Sequence, residues 1–314
     1  MARARTPGPA ALRRIALYVA SAYLTVVIML SFLQRSMMYF PDREQAIEPA
    51  VAGLPVGRVH TVTSQSDDGL ALRGWLVLAD GQVAQDRAEV GRRLSEGRPC
   101  VLYFSGNAGN RRYRVPEFEV FTAAGCDVLV FDYRGYGENE GTPSETHLAA
   151  DAHTAWRFAT GELRIAPERI LLFGESLGGG VAVRLAADLS AAGSPPGGII
   201  LRSTFSSMVD VAAHHYPWLP VRLVLVDRYL SQDRIGVVTC PILQLHGQQD
   251  TIVPISLGRR LFAAAPERSA GGVAKQWIEL PHADHNNIPL VAEGPYRAAI
   301  TRFVKAAAPQ LNHE

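Results

Sequence analysis

Gly174-Glu175-Ser176-Leu177-Gly178 spells G-x-S-x-G. The string alone is weak in a glycine-rich chain, but its setting is informative. An apolar run, Ile170 to Phe173, precedes it, and a helical stretch of small and apolar residues, Leu177 to Leu189, follows. That is the strand–turn–helix context of a serine nucleophile presented on a sharp turn. A Cβ at either flanking glycine would collide with the neighbouring strand or helix. The turn also sets the hydroxyl at a helix N-terminus, where the peptide dipoles favour developing negative charge.

A serine hydroxyl is a weak nucleophile near neutral pH and needs a base, which in turn needs an orienting acid. With this kind of turn the chain order is serine, then acid, then histidine. Asp250 lies in His246-Gly247-Gln248-Gln249-Asp250, after the apolar run Ile242–Leu245. His285 lies in His282-Ala283-Asp284-His285-Asn286, after Trp277–Leu280. Both loops follow strands, where open α/β sheets bind their ligands. Asp210 and Asp233 are rival acids, and His282 is the rival base. An oxyanion needs two N–H donors. One is expected from Leu177, the residue after the nucleophile, and the other from the glycine-containing loop Ser105–Asn110, assigned to Asn107 with Ala108 as its neighbour. Neither a metal nor an organic cofactor is implied.

These residues need a scaffold. Short apolar runs at Cys100–Phe104, Asp127–Phe131, Ile170–Phe173, Gly198–Leu201, Ile242–Leu245 and Trp277–Leu280 alternate with helical stretches at Val115–Ala124, His147–Phe158, Leu177–Leu189 and Val291–Ala307. That alternation predicts βαβ units and a mostly parallel sheet flanked by helices, an α/β fold. Val59–Thr63 and Leu70–Leu78 around Asp67-Asp68-Gly69 predict a hairpin. Ala79–Arg98 reads as a surface excursion and Pro41–Gly57 as a linker. Residues 204–236, with aromatics, Pro217 and Pro220, read as a small lid. Asp132, Arg134, Tyr136 and His246 read as stabilising residues, and His214 and His215 as packing. Gly135-Tyr136-Gly137 is no dinucleotide fingerprint, since Gly141 falls one residue too far.

Ile15–Leu33 is 19 residues without a charge, close to the length that crosses a bilayer as a helix. Arg3, Arg5, Arg13 and Arg14 precede it, so the N-terminus is expected in the cytoplasm and the catalytic domain outside, although Arg35 and Arg43 oppose that bias. The run is longer than the apolar core of a cleaved signal, and QRSMMYFP is a poor cleavage site. Residues 1–37 therefore read as tail and anchor, and 38–314 as the catalytic domain. Met37 to Phe40 belong either to the membrane interface or to the first core contacts. The net charge of +1 supplies no electrostatic case for nucleic acid. Cys100, Cys126 and Cys240 form no disulfide framework.

Taken together, Phe104 to Asn110, Phe131 to Gly137, Gly174 to Gly179, Ser203 to Ser207, His246-Gly247 with Asp250, and His285-Asn286 resemble membrane-anchored α/β-hydrolases. That group includes the α/β-hydrolase-domain proteins that remove palmitoyl groups from proteins, and their bacterial relatives. The resemblance runs from about Met38 to the C-terminus. It implies ester or thioester hydrolysis through an acyl-enzyme, without fixing the substrate, and it favours His285 over His282 through the His-Asn pair; the apolar lid beside a membrane segment points to lipid-like or acylated substrates. One departure is Ser105, where such loops often carry histidine in H-G-N-A. A peptidase or amidase with the same triad, and a non-catalytic membrane scaffold, are the alternative readings.

Overall fold

Eight apolar segments between Val59 and Leu280 are zipped into one sheet. The structure is a computed structural model and describes residues 8–307; Arg3 and Arg5 of the N-terminal basic cluster lie outside the described residues. The strands are β1 (Phe40–Pro41), β2 (Val59–Gln65), β3 (Ala71–Val77), β4 (Cys100–Phe104), β5 (Ala108–Gly109), β6 (Asp127–Phe131), β7 (Ile170–Glu175), β8 (Gly198–Arg202), β9 (Ile242–Gly247) and β10 (Gln276–Leu280). The main sheet runs β10-β9-β8-β7-β4-β6-β3-β2. The six strands from β10 to β6 are parallel, and the β2–β3 hairpin is added antiparallel. The helices are α1 (Pro9–Leu33), α2 (Arg87–Ser95), α3 (Val115–Ala123), α4 (Glu145–Arg157), α5 (Leu177–Ala191), α6 (Met208–His215), α7 (Val221–Val224), α8 (Ser231–Ile235), α9 (Ile255–Ala264), α10 (Ile288–Val291) and α11 (Glu293–Ala307).

Because side chains alternate across a strand, each parallel strand feeds two cores. Leu102 and Leu172 pack with Val181, Leu185 and Leu261 on one face. Val101, Tyr103 and Phe173 pack with Phe118, Ile300 and Phe303 on the other. The three cysteines are buried within these layers. From β4 the chain goes first to β6 on one side and then to β7 on the other. The ends of β4 and β7 thus border the crevice where such sheets bind ligands.

Three expectations change. Ala79–Arg98 contains α2, whose Val90 and Leu94 are buried. Its start is capped by residues that the sequence carries: Asp86, the N-cap, accepts from Glu89 N at 2.8 Å, and the Glu89 side chain reaches back to accept from Gln85 N, one residue before the cap, at 2.8 Å. Pro41–Gly57 is no free linker. β1 pairs with β5 in parallel, Ile47 is buried, and its carbonyl accepts from Trp75 and Arg111. Within residues 204–236 the two ends are core, with Thr204, Phe205, Tyr229 and Ile235 buried, so only the middle, α6 to Val226, forms a cover. Of the four residues left open, Met38 and Tyr39 are buried core contacts, while Met37 and Phe40 are exposed.

The Asp132 carboxylate, just past β6, accepts from Arg111 N at 2.7 Å and pairs with the fully buried Arg111 guanidinium. Removing one partner of a buried pair strands the other charge and costs about 3–5 kcal/mol. Here the Arg111 guanidinium also pairs with Glu138, so Asp132→Asn leaves it one carboxylate and is expected to lower unfolding free energy by less than that, about 1–3 kcal/mol, measured by urea titration of the detergent-solubilised chain.

Candidate active site

Ser176 sits between β7 and α5 at φ 51°, a left-handed backbone that a side-chain-bearing residue adopts only under constraint. The constraint is packing. A Cβ on Gly178 would lie 2.1 Å from Phe104 O, and one on Gly174 2.5 Å from Gly178 O. The two glycines thus let α5 start directly against the end of β4. Ser176 N donates to Arg202 O at 2.9 Å, and Thr204 Oγ1 donates to Ser176 O at 2.9 Å. These bonds hold the turn from the β8 side.

The structure brings Asp250 and His285 together. His285 Nδ1 is 2.8 Å from Asp250 Oδ2. A histidine N–H facing a carboxylate fixes the tautomer with the proton on Nδ1, leaving Nε2 as the basic nitrogen. Asp250 Oδ1 accepts from Ile252 N at 3.0 Å and Val253 N at 2.7 Å. His246 Nε2 reaches Val253 O at 2.9 Å and Asp250 Oδ2 at 3.3 Å. Burial alone would push the Asp250 carboxyl up, but the hydrogen bonds from His246, His285 and Val253 N hold it well below the usual carboxylate range. His285 and Ser176 line one cavity together. No hydrogen bond joins Ser176 Oγ to His285 among the described residues; such contacts commonly tighten only when substrate is bound.

The rivals are engaged elsewhere. Asp210 accepts from Ser206 and Ser207 and pairs with Arg222 and Arg260. Asp233 is exposed on α8. His282 is exposed, at φ 62°.

Two neighbours were missed from sequence. Asp284 joins the two loops, accepting from Thr251 N at 3.0 Å and from His285 N at 2.7 Å. Glu175, buried beside the serine, accepts from Tyr103 at 3.1 Å, meets Arg202 at 2.9 Å and faces Arg114 at 3.5 Å. Its burial would raise it, yet Arg202, Arg114 and His285 bring it down to about 2. The signal for both was adjacency: each is an acid immediately before a candidate catalytic residue.

The Asn107 loop is held without the missing histidine. Asn107 O accepts from Phe40 N at 2.8 Å and from Tyr136 at 2.8 Å, Asn107 Nδ2 donates to Met38 O at 2.8 Å, and Tyr133 donates to Ser105 O at 2.9 Å. Neither the Asn107 nor the Leu177 backbone N–H has a partner among the described residues. Both residues line an apolar cavity of about 380 Å³ with Ser176, and Asn107 and Ser176 also line a second cavity of about 570 Å³ whose wall includes charged side chains. Ala108 lines only the second. The apolar cavity lies under the cover and α1, with Met38, Met208, Val211 and Leu225 in its wall. The second cavity carries Asp42, Tyr113, Arg114 and Asn286. Among the described residues no group of three or more His, Cys, Asp and Glu is placed to hold a metal.

Comparison with known proteins bears on the family and the fold. A family model described as the alpha/beta hydrolase fold matches residues 99–226. An uncharacterised protein of Mycobacterium tuberculosis is 39% identical over 284 residues, covering 90% of this chain and 91% of that one. The lysophosphatidylserine lipase ABHD12 of Danio rerio is 29% identical over 298 residues, covering 85% and 76%. A solved esterase of Pyrococcus furiosus superposes with a TM-score of 0.62 at 17% identity, covering 86% of this chain and 98% of its own, a likeness of fold alone.

Because the Glu175 carboxyl is lowered in the folded state, the stability it contributes is full above about pH 4.3 and is lost as pH falls through about 2. Glu175→Gln is expected to be less stable at pH 7 and to show a flatter acid decline. The difference in slope approaches one proton, about 1.4 kcal/mol per pH unit, and is read from urea unfolding curves between those two pH values.

Proposed function

The chain belongs to the α/β-hydrolase family, and on that premise we propose that it is a serine hydrolase cleaving carboxylic ester or thioester bonds of single-chain, lipid-like substrates. The observation that carries the reading is the His285–Asp250 contact at 2.8 Å, with His285 lining one cavity together with Ser176, which itself lies between an apolar cavity and this second one with charged residues in its wall. The division suits an amphiphile: acyl chain in the first chamber, polar leaving group in the second. The lysophosphatidylserine lipase relatives support the same class of substrate.

In this mechanism His285 Nε2 takes the Ser176 proton as Oγ attacks the acyl carbonyl. The carbonyl oxygen gains the charge and is met by the N–H groups of Leu177 and Asn107. Asp250 holds the imidazole and stabilises its charged form. Collapse breaks the bond to the leaving group, which receives the proton from His285, and Ser176 is left acylated. Water then attacks the acyl-enzyme with His285 again as base, releasing the fatty acid and the free serine. Glu175 is a positioning residue, holding the turn through Arg202 and Arg114.

The helix Pro9–Leu33 is long and apolar enough to cross a membrane. In this reading it anchors the enzyme, with its basic N-terminus in the cytoplasm and the catalytic domain outside.

Labelling with a fluorophosphonate probe tests the chemistry. The wild type is expected to be labelled at Ser176, and Ser176→Ala to lose both labelling and at least about a thousandfold in ester turnover. A folded wild type that resists the probe overturns the reading and favours a non-catalytic scaffold. Among p-nitrophenyl esters, turnover is expected to rise with chain length as far as the apolar cavity is filled, and equal rates for short and long acyl chains would count against a lipid-like substrate.

A further inference from the structure

The cover and the N-terminal helix are in contact along half the length of that helix. Tyr23 donates to Trp218 O at 2.8 Å, near the middle of α1. At its end, Gln34 accepts from Val226 N at 2.7 Å and donates to Val224 O at 3.4 Å, and Arg35 pairs with Asp227 at 2.9 Å. Tyr23 to Gln34 is about 16 Å of helix at 1.5 Å per residue. The cover therefore climbs that far up α1 from the catalytic body.

This placement limits where a bilayer can lie. A span needs about 17 or more apolar residues. If the bilayer began only above Tyr23, the uncharged helix left to it would be Ile15–Ala22, since Arg13 and Arg14 precede it. That stretch covers about 12 Å at 1.5 Å per residue, too short for a hydrocarbon core of about 30 Å. A spanning α1 thus carries Tyr23–Leu33 within the hydrocarbon, and the cover with it.

The cover is built to tolerate that position. Trp218 is 55%, Val226 61% and Leu223 86% exposed. From Tyr216 to Val226 the single charge is Arg222, which pairs with Asp210 at 3.2 Å. Irregular backbone survives at membrane depth only when its polar groups are paired. Most of the segment meets that condition: Pro217 and Pro220 have no N–H to pair, Leu219, Val221, Leu223, Val224 and Leu225 donate within the segment, and the Tyr23 and Gln34 side chains supply the partners already described, which leaves the N–H groups of Trp218 and Arg222 without a partner among the described residues. The same elements wall the apolar cavity, through Leu30 and Gln34 of the anchor segment and Leu219 and Val224 of the cover.

We propose that the Tyr216–Val226 segment is embedded with α1 in the outer leaflet of a phospholipid bilayer, so that the apolar cavity receives an acyl chain sideways from the lipid. The occupant of this exposed apolar face is lipid hydrocarbon, and the inference rests on the reading of α1 as a membrane span. Tryptophan fluorescence of the full-length chain in phosphatidylcholine vesicles with brominated acyl chains tests it. Trp75 and Trp156 are buried and Trp277 partly so, which leaves Trp218 as the exposed indole. Most of the bromolipid quenching is expected to disappear in Trp218→Phe and to return when Leu223→Trp is added. Equal quenching in wild type and Trp218→Phe, with Trp218 emission quenched by aqueous iodide, would overturn the proposal. Neither result depends on Ser176 chemistry: a protein that resists the fluorophosphonate probe yet shows Trp218 quenching loses the hydrolase reading and keeps this one.

Discussion

The close approach of the first turn of α5 to the end of β4 is the constraint on which the site depends. It exists because Gly178 has no Cβ to meet Phe104 O. It forces Ser176 into a left-handed turn and sets the Leu177 N–H beside the loop that carries Asn107. A wider gap would relax the serine and move Leu177 away from that loop. Backbone strain at a single residue is tolerable here because its hydrogen bonds with Arg202 and Thr204 and the packing of the flanking glycines over-determine its position.

Behind that turn lies a buried charge cluster. Glu175, Arg202, Glu117 and Tyr296 join β7 and β8 to α3 and α11. Glu117 is pushed up by burial despite Arg202, whereas Glu175 is brought down. The arrangement places a permanent negative charge beside the candidate nucleophile, countered by two arginines. Such a cluster contributes little net stability in itself, but it leaves the strand ends one electrostatically acceptable arrangement. Asp284 plays the corresponding part between the loops of Asp250 and His285.

The N-terminal segment links the body to the cavity. Tyr39 donates to Asp227 at 3.1 Å and meets Tyr229 at 2.9 Å. β1 pairs with β5 in the Asn107 loop, while the helix before it contributes to the cavity wall. One continuous stretch of chain therefore carries the apolar helix, supports the Asn107 loop and walls the apolar cavity.

Much of this was legible in the residue order. The central strands are continuous apolar runs because both faces are buried, and Ser176, Asp250 and His285 each follow such a run. The glycines at 174 and 178 advertised a tight turn because so few other residues fit one. What residue order could not supply was contact between distant segments. Pro41–Gly57 has a linker's composition, and its pairing with the Asn107 loop and with Gly137 has no local signal. Glu175 and Asp284 look like ordinary polar neighbours until folding surrounds one with arginines and puts the other across from Thr251. The N-terminal helix was plain from its hydropathy, which is a local property. That the cover climbs half its length was decided only by tertiary packing, because a hydrogen bond between Tyr23 and Trp218 joins residues 195 positions apart, beyond the reach of any periodicity.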